Sequence, residues 1–357
     1  MDESLKSGTG YLSFFKRIPI ASLFIGGFFV ILLVIGYFLG FSVANLLSDS
    51  IQRFGMWGLL VLAMVPSIQS GVGPNFALPV GVCGGLLALV ITINLSFTAW
   101  PLLLISSVLA LVIGSVLGFV YGVLMNKVKG SEMAIATYTG FSVTFLFSVI
   151  WVLFPVRSEY IGFFLGDGVR HMISLEPFAA QGLLENLWQF SVGGFTISTG
   201  TLLVVSAAGV IIWLFFRSKT GISISAAGMN PVFAGAAGLN VNQLRVIGNI
   251  ISTALGAVGI VIYAQGFGFI QLYDFPLWLG FSAVAAVLVG GASAQRAKVM
   301  NVIIGAFLFQ ALITVGPTVF GRLLEGTGGD ISDAVRQVIQ NGVILYALMR
   351  LKGDGGV

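Results

Sequence analysis

The sequence predicts an all-α integral membrane protein with about ten transmembrane helices. Of its 357 residues, 57% are hydrophobic and only 8% are charged, against roughly 25% charged in an average soluble domain. No Asp, Glu, Lys or Arg lies between Arg53 and Lys127. One helix crosses the hydrocarbon core with about 20 apolar residues, so this stretch must cross several times. Pro, Gly and polar clusters divide it and the other apolar stretches into segments.

The breaks between apolar stretches define the predicted helices. The first begins after Lys16 and Arg17, and its apolar run of about 30 residues is longer than the h-region of a signal peptide, so we interpret it as a retained span. A break at Ser70–Asn75 and another at Asn94–Pro101 divide the long uncharged stretch into three. The predicted helices are 19–40, 55–70, 79–93, 101–125, 133–154, 196–216, 246–264, 276–290, 299–317 and 334–349.

The distribution of basic residues predicts the orientation of these helices. With the N-terminus inside, 12 of the 17 Lys and Arg residues fall on the cytoplasmic side, as the positive-inside rule requires. Both termini, residues 1–18 and 351–357, are then cytoplasmic. The segment 155–195 is a long external loop, the segment 217–245 is a long cytoplasmic loop, and the whole chain, 1–357, is one transmembrane domain. The cytoplasmic basic residues are Lys6, Lys16, Arg17, Lys127, Lys129, Arg217, Lys219, Arg245, Arg296, Lys298, Arg350 and Lys352.

A faint internal repeat suggests how the helices are arranged. Residues 75–81 read NFALPVG and residues 274–280 read DFPLWLG, each at the start of an apolar segment interrupted by proline. Both occupy the same place within a five-helix half of the chain. Because a half with an odd number of helices must recur upside down, we predict two inverted five-helix halves, an architecture found in many transporters.

Residues around these repeats are candidates for a transport path. They are Asn75, Phe76, Gln271, Asp274, Phe275 and Trp278. Polar and aromatic side chains together suit a small polar ligand. The residues around Asp274 have an alternative interpretation as an anchor at the membrane interface, since Tyr and Trp concentrate at the headgroup level.

Catalytic and metal chemistry find no support in the sequence. It has one cysteine, Cys83, within an apolar segment, and one histidine, His171, in a polar loop. Neither a phosphate-binding lysine loop nor a G-x-S-x-G or H-E-x-x-H motif is present. We therefore predict that the chain is not an enzyme and holds no metal or cofactor. The basic residues form no stripe, which argues against nucleic acid as a partner.

Glycine is abundant, and three glycines recur at four-residue spacing in one predicted helix. Gly114, Gly118 and Gly122 form a GxxxGxxxG face that lets a second backbone approach closely. The partner helix could lie within the same chain or in a second subunit; we favour packing within the chain.

The cytoplasmic loop resembles a known family. Residues 221–241 read GISISAAGMNPVFAGAAGLNV, similar to the cytoplasmic loop of permease subunits from ABC importers for branched-chain amino acids, simple sugars and nucleosides. The residues in register are Asn230, Ala234, Gly238, Leu239, Asn240 and Val241. Further similarity covers Gly118–Met125 with Lys127 and Lys129, Ala134–Thr137, Val289–Ser293 and Gly305–Phe307. The chain departs from the family at Asn75, where an acid is usual, and at Ser225.

The resemblance implies a permease subunit of an ATP-driven importer in the plasma (inner) membrane of a prokaryote. ATP and Mg²⁺ would bind to separate ATPase subunits, which would act on the coupling loop through Asn230, Ala234, Gly238, Leu239 and Asn240. A second permease subunit and an extracytoplasmic substrate-binding protein are the other implied partners, besides the lipid bilayer. In the loop we expect a short helix with Asn230 as its N-cap and Pro231 at its first position.

Two other functions are compatible with the sequence. An autonomous channel or secondary carrier for a small polar solute would also explain the repeat and the broken segments. A membrane enzyme or assembly scaffold has less support, because the sequence contains no reactive cluster. Among cargoes of the permease, a simple sugar or nucleoside is favoured and a branched-chain amino acid is an alternative.

Overall fold

The computed structural model describes residues 20–163, 168–323 and 332–354, and it is predominantly helical. The predicted N-terminal segment 1–18 and the last three residues of the predicted C-terminal segment 351–357 lie outside the described residues, whereas residues 351–354 belong to the last helix. The first six helices are α1 (Ile20–Phe38), α2 (Val43–Leu62), α3 (Met64–Gln69), α4 (Leu78–Asn94), α5 (Ala99–Lys127) and α6 (Glu132–Leu153). The remaining seven are α7 (Thr199–Phe215), α8 (Lys219–Met229), α9 (Pro231–Ala236), α10 (Val241–Phe267), α11 (Phe275–Val289), α12 (Val299–Leu323) and α13 (Ser332–Asp354).

Each of the ten predicted segments contains a helix, and the largest difference in bounds is at the second. The segment 55–70 was predicted, whereas α2 begins at Val43, where the Ser42 side chain accepts a hydrogen bond from the Asn45 amide. Asp49 and Arg53 lie within this helix. The prediction was based on charge-free stretches, so it left out the N-terminal part of α2, which carries charge.

Among the described residues, six helical segments are long and apolar enough to cross a membrane: Ala21–Phe38, Val43–Gln69, Ala99–Lys127, Glu132–Leu153, Val241–Phe267 and Val299–Leu323. Helices α7 and α8 form a seventh if they count as one span, bent by 77°. Helices α4 and α11 are apolar but shorter. Large apolar side chains such as Phe24, Val108 and Leu146 are exposed on α1, α5 and α6. A surface of this kind is stable in contact with lipid.

Among the described residues, two small sheets form chiefly in segments that were predicted to be loops; one strand also takes residues 196–198 of the predicted helix 196–216, which begins only at Thr199. The strands are β1 (Met172–Ser174), β2 (Gln189–Val192), β3 (Phe195–Ser198) and β4 (Phe269–Gln271). Strand β1 pairs antiparallel with β4, and β2 pairs antiparallel with β3. The all-α prediction missed them because strands of three or four residues give no periodic pattern, and the first pairing joins distant parts of the chain.

The glycine face of α5 packs against α10 within the chain, which confirms the favoured interpretation. A Cβ on Gly114 would lie 2.7 Å from the Cβ of Ala257, and one on Gly118 would lie 2.9 Å from the Cα of Ile250. A Cβ on Gly122 would meet the Cα of Val246 at 3.0 Å. The two helices therefore approach so closely that only glycine fits along this face.

Helix α10 is the centre of the bundle. Besides α5 it contacts α4, where a Cβ on Gly81 would lie 2.3 Å from the carbonyl oxygen of Thr253. Its own Gly259 faces Leu60 of α2 at 3.0 Å. Cys83 lies buried on the α4 side of this core, as predicted for a small apolar side chain.

Candidate functional site

A cleft of about 470 Å³ opens between α2, α10, α11, α12 and α13. Its walls combine aromatic rings with amide, hydroxyl and guanidinium groups. A cavity of this size and mixed lining is typical of sites for small polar ligands. The lining residues are Arg53, Trp57, Tyr263, Phe267, Gln271, Phe275, Trp278, Leu279, Ser282, Gln310, Ile313, Arg336, Gln337, Gln340 and Asn341.

The aromatic wall of the cleft is one connected cluster. The Tyr263 ring stacks against Phe267 with centroids 5.5 Å apart and against Phe275 at 5.6 Å. Trp57 meets Tyr263 edge to face at 5.5 Å. Because each ring is held by another, the wall keeps its shape without a ligand, and rings of this kind bind the apolar face of a sugar or a planar base.

The polar wall is supplied chiefly by amides. Gln340 Nε2 donates a hydrogen bond of 3.0 Å to Ser282 Oγ, which joins α13 to α11. Gln310 is 2% exposed, and its Nε2 has no hydrogen-bond partner among the described residues. Leaving a buried donor unpaired costs about 1–3 kcal/mol. A ligand oxygen that accepted from Gln310 would recover that energy.

Three of the six sequence-predicted path residues line this cleft: Gln271, Phe275 and Trp278. Asn75 and Phe76 lie elsewhere. Asn75 is fully buried, and Phe76 packs its ring 6.0 Å from Phe281 of α11. The two segments of the internal repeat therefore approach each other, but only the second contributes to the cleft.

Asp274 lies at the surface beside the start of α11. Its Oδ1 is 3.4 Å from Nε2 of His171, and the two side chains are 66% and 62% exposed. The His171 ring stacks on Tyr273 with centroids 5.4 Å apart. Asp274 thus belongs to a small surface cluster next to the β1–β4 sheet.

Sequence reasoning missed most of the cleft. Trp57 and Tyr263 lie within apolar helices, where aromatic residues are common and carry no special signal. Gln310 had a usable signal, because a polar side chain inside an apolar span is costly and is often functional. Gln265 has the same signal, and it is also buried, with an Nε2 that has no partner in the part of the chain that the structure describes.

Gln265 attaches the 180–187 segment to the end of α10. Its Oε1 accepts from the Leu184 amide at 3.2 Å, and its main-chain carbonyl accepts from Gly182 at 2.7 Å. Glu185, in the same segment, is buried. Burial raises the pKa of Glu185 to about 7, opposed by a hydrogen bond from Gln52 and the charge of Arg53. Arg53 therefore lines the cleft and also acts electrostatically on this segment.

A second candidate element is the helical hairpin α8–α9, within the 217–245 loop. The expected short helix is confirmed: Asn230 Oδ1 accepts from the Phe233 amide at 2.9 Å, and Pro231 is the first residue of α9. Ala234 is buried, Gly238 has a left-handed backbone with φ of 83°, and Leu239 is half-buried. Asn240 Oδ1 accepts from the Gln243 amide at 3.2 Å and so caps α10. The predicted loop residues thus fix the shape of the hairpin.

The hairpin presents an apolar outer face. Val232 is 83% exposed, Phe233 is 69% exposed and Met229 is also exposed. Its inner side contacts the break between α3 and α4. A Cβ on Gly228 would lie 2.2 Å from the carbonyl oxygen of Gln69 and 2.7 Å from the amide nitrogen of Gly71. A displacement of the hairpin would therefore press directly on this break.

The sequence profile of the family described as branched-chain amino acid transport system / permease component matches residues 20–349. The chain is 24% identical to the nucleoside ABC transporter permease protein NupB of Lactococcus lactis, over 83% of this chain and 78% of that protein. It is 24% identical to the galactofuranose transporter permease YtfT of Escherichia coli, over 83% and 90% of the two chains. Identity to the galactose/methyl galactoside import permease MglC of Salmonella typhimurium is 25%, over 90% and 92%.

Proposed function

This chain belongs to the family of branched-chain amino acid transport system permease components, and we propose that it imports a nucleoside or simple sugar through the cleft beside α10. The observation that carries the proposal is the cleft itself, with stacked rings on one wall and amides on the other. Rings bind the planar or apolar face of such a solute, and amides bind its hydroxyls and carbonyls.

The charges of the cleft favour these solutes over a branched-chain amino acid. An amino acid presents an ammonium group, which needs a carboxylate or several carbonyls as its partner. In the described part of the chain, the residues that line the cleft include Arg53 and Arg336 but no Asp or Glu. Named relatives of this chain transport nucleosides, galactofuranose and galactose, which agrees with this preference.

The proposed topology has ten crossings with both termini in the cytoplasm. Six helical segments qualify by length and composition, and α4, α7, α11 and α13 supply the other four. Helices α4 and α11 are equivalent members of two inverted halves. Both are short, both have proline in the first two positions, and both follow a non-helical segment.

We place ATP hydrolysis on separate subunits that bind the exposed face of α9. Exposed Val232 and Phe233 supply an apolar contact, and the Gly228–Gly71 approach supports a direct mechanical link to the α3–α4 break. A second permease subunit and a substrate-binding protein at the external loop complete the proposed importer, in the plasma membrane of a prokaryote. Closure of the ATPase subunits would rock the helices around the cleft.

The test is solute uptake by proteoliposomes that contain the chain together with the ATPase and binding protein encoded beside it. We expect uptake of labelled adenosine or ribose that requires ATP on the ATPase side. Trp57→Ala should raise KM by about tenfold, since stacking on one ring contributes about 1–3 kcal/mol. Gradient-driven flux through the chain alone would instead identify a channel or secondary carrier. Uptake of leucine but neither nucleosides nor sugars would contradict the proposed substrate class.

A further inference from the structure

A second cavity shares no lining residue with the cleft. It is a groove of about 570 Å³ between α7 and α12, floored by residues of α2 and α3. Val205, Val210, Trp213, Val299 and Ile303 give it apolar walls. Several of these side chains, including Val210 and Trp213, are exposed. In a bilayer such a surface meets acyl chains, and an apolar groove of this volume can hold part of one.

One end of the groove carries positive charge. Arg217 follows α7 at the 77° bend toward α8, and Lys298 immediately precedes α12. The Cζ atom of Arg217 lies 3.6 Å from the centroid of the Trp213 ring. A cation–π contact uses the face of the guanidinium and leaves the N–H groups at its edge able to bind an anion. Within the described part of the chain, no carboxylate lines this groove.

The charged end is also structurally fixed. Gln69 Nε2 donates to the carbonyl oxygen of Ala297 at 2.5 Å, which ties the end of α3 to the segment before α12. This bond fixes the backbone next to Lys298, which lines the same groove as Arg217. The two cations are therefore positioned by the fold, next to a long apolar surface.

We infer that this groove binds an anionic phospholipid, with one acyl chain between α7 and α12 and the headgroup phosphate between Arg217 and Lys298. A phosphodiester matches two cations that lack an acidic partner in the groove, and the apolar walls match a hydrocarbon chain. With the proposed topology the charged end of the groove faces the cytoplasmic leaflet, and only this placement rests on that topology; the preference for an anionic headgroup does not. Because the groove touches α3, the lipid would also contact the helix that leads into the α3–α4 break.

Lipid retention by the full chain tests the inference. The protein is reconstituted in nanodiscs of equal parts phosphatidylglycerol and phosphatidylethanolamine, released into detergent, and its bound lipids are counted by native mass spectrometry. We expect retained phosphatidylglycerol in preference to phosphatidylethanolamine. The double variant Arg217→Gln/Lys298→Gln should reduce this retention by about 25-fold, because each basic side chain contributes roughly fivefold at a bilayer surface. The charge-matched control Lys127→Gln/Lys129→Gln, outside the groove, should retain the lipid.

A steric variant separates the groove from the charge. Gly209 lines the groove, and a Cβ there would lie 3.4 Å from a Val299 methyl group, so Gly209→Leu would fill the space with both cations intact. We expect it to lose the lipid, whereas Gly27→Leu, at a position with open space, should not.

Three outcomes would overturn the inference: equal retention of the two lipids by the wild-type chain, unchanged retention in both groove variants, or equal losses in the control variants. A fourth would replace the lipid by a second copy of this chain. Met300→Cys places an exposed thiol on the groove, and Cys83 is buried. Efficient disulfide crosslinking between copies through Met300→Cys would show that protein covers this face.

Discussion

Asn75 Nδ2 donates a hydrogen bond of 2.8 Å to Ser252 Oγ, although 177 residues separate them in the chain. Ser252 Oγ in turn donates to the carbonyl oxygen of Ala63 at 2.7 Å, at the junction of α2 and α3. The segment that leads into α4 is thereby tied to α10 and to the junction of α2 and α3. The residue that the repeat marked as a path candidate lies within the packing of these helices.

Asn75→Ala should lower the free energy of unfolding by about 1 kcal/mol, because it removes the buried hydrogen bond to Ser252, whose hydroxyl keeps its bond to Ala63. Asn75→Asp should cost more, since it places a charge in the same buried position. Thermal unfolding in detergent, followed by intrinsic fluorescence, measures both. Exposed Asn341→Ala is the control for removal of an amide. Additive effects of Asn75→Ala and Ser252→Ala would show that the hydrogen bond between them contributes nothing.

Gly118→Val should destabilise the protein by about 1–3 kcal/mol, since the new side chain would force α5 away from α10. The Cβ alone would lie 2.9 Å from the Cα of Ile250. The measurement is the yield of monodisperse protein together with its Tm. Gly27→Val introduces the same side chain into α1, where nothing lies within 4 Å of the added Cβ. Equal Tm values for the two variants would refute close packing at Gly118.

Gln310→Leu should raise KM for the transported solute by about tenfold and leave Tm equal or higher, because the buried donor that it removes has no partner among the described residues. The substitution keeps the volume of the side chain and removes the unpaired amide donor from the cleft. Initial uptake rates in proteoliposomes over a range of solute concentrations give KM. Exposed Gln243→Leu, on the first turn of α10, is the matched control and should leave KM unchanged. A wild-type KM in Gln310→Leu would exclude Gln310 from substrate binding.

Phe233→Asp should weaken association with the ATPase subunits by about 30-fold, the effect of losing one buried apolar anchor of an interface. The measurement is co-purification of the ATPase together with its solute-stimulated hydrolysis of ATP. Val192→Asp, on exposed β2, introduces the same charge at a similarly exposed position and should leave both unchanged. Full coupling in Phe233→Asp would mean that the ATPase binds elsewhere.

Glu185→Gln should stabilise the protein at pH 8 but not at pH 5. Burial raises the pKa of Glu185 from 4.5 to about 7, so the folded state holds its proton more tightly than the unfolded chain does. Stability of the wild type is therefore lost as pH rises from about 4.5 to 7, whereas the glutamine variant lacks this loss. We expect Tm of the variant to exceed that of the wild type by about 3 °C at pH 8, with convergence near pH 5. A constant difference across this pH range would contradict the raised pKa.

Much of the architecture was accessible to sequence reasoning because it depends on local properties. Helix positions follow from charge-free segments and their breaks, and the Asn230 cap follows from the residue types at neighbouring positions. The glycine face of α5 is visible because its three glycines are four residues apart. The start of α2 was missed because the prediction relied on this local apolar pattern. Asp49 and Arg53 interrupt the pattern without interrupting the helix.

Sequence reasoning located only a small part of the candidate cleft. Gln271, Phe275 and Trp278 lie in one short segment that the repeat had marked, but Trp57, Gln310 and Gln340 come from three other helices. The β1–β4 pairing likewise joins residues that are far apart in sequence.

The sequence by itself determined that this is a helical membrane protein with a permease-type loop whose short helix is capped by Asn230, since hydropathy, glycine spacing and helix capping act over a few residues. Only the tertiary structure decided that Asn75 ties helices together, that Asp274 pairs with His171 at the surface, and that the cleft forms beside α10. Those outcomes depend on how closely packed helices bring distant side chains together, and hydropathy along the chain does not encode that distance.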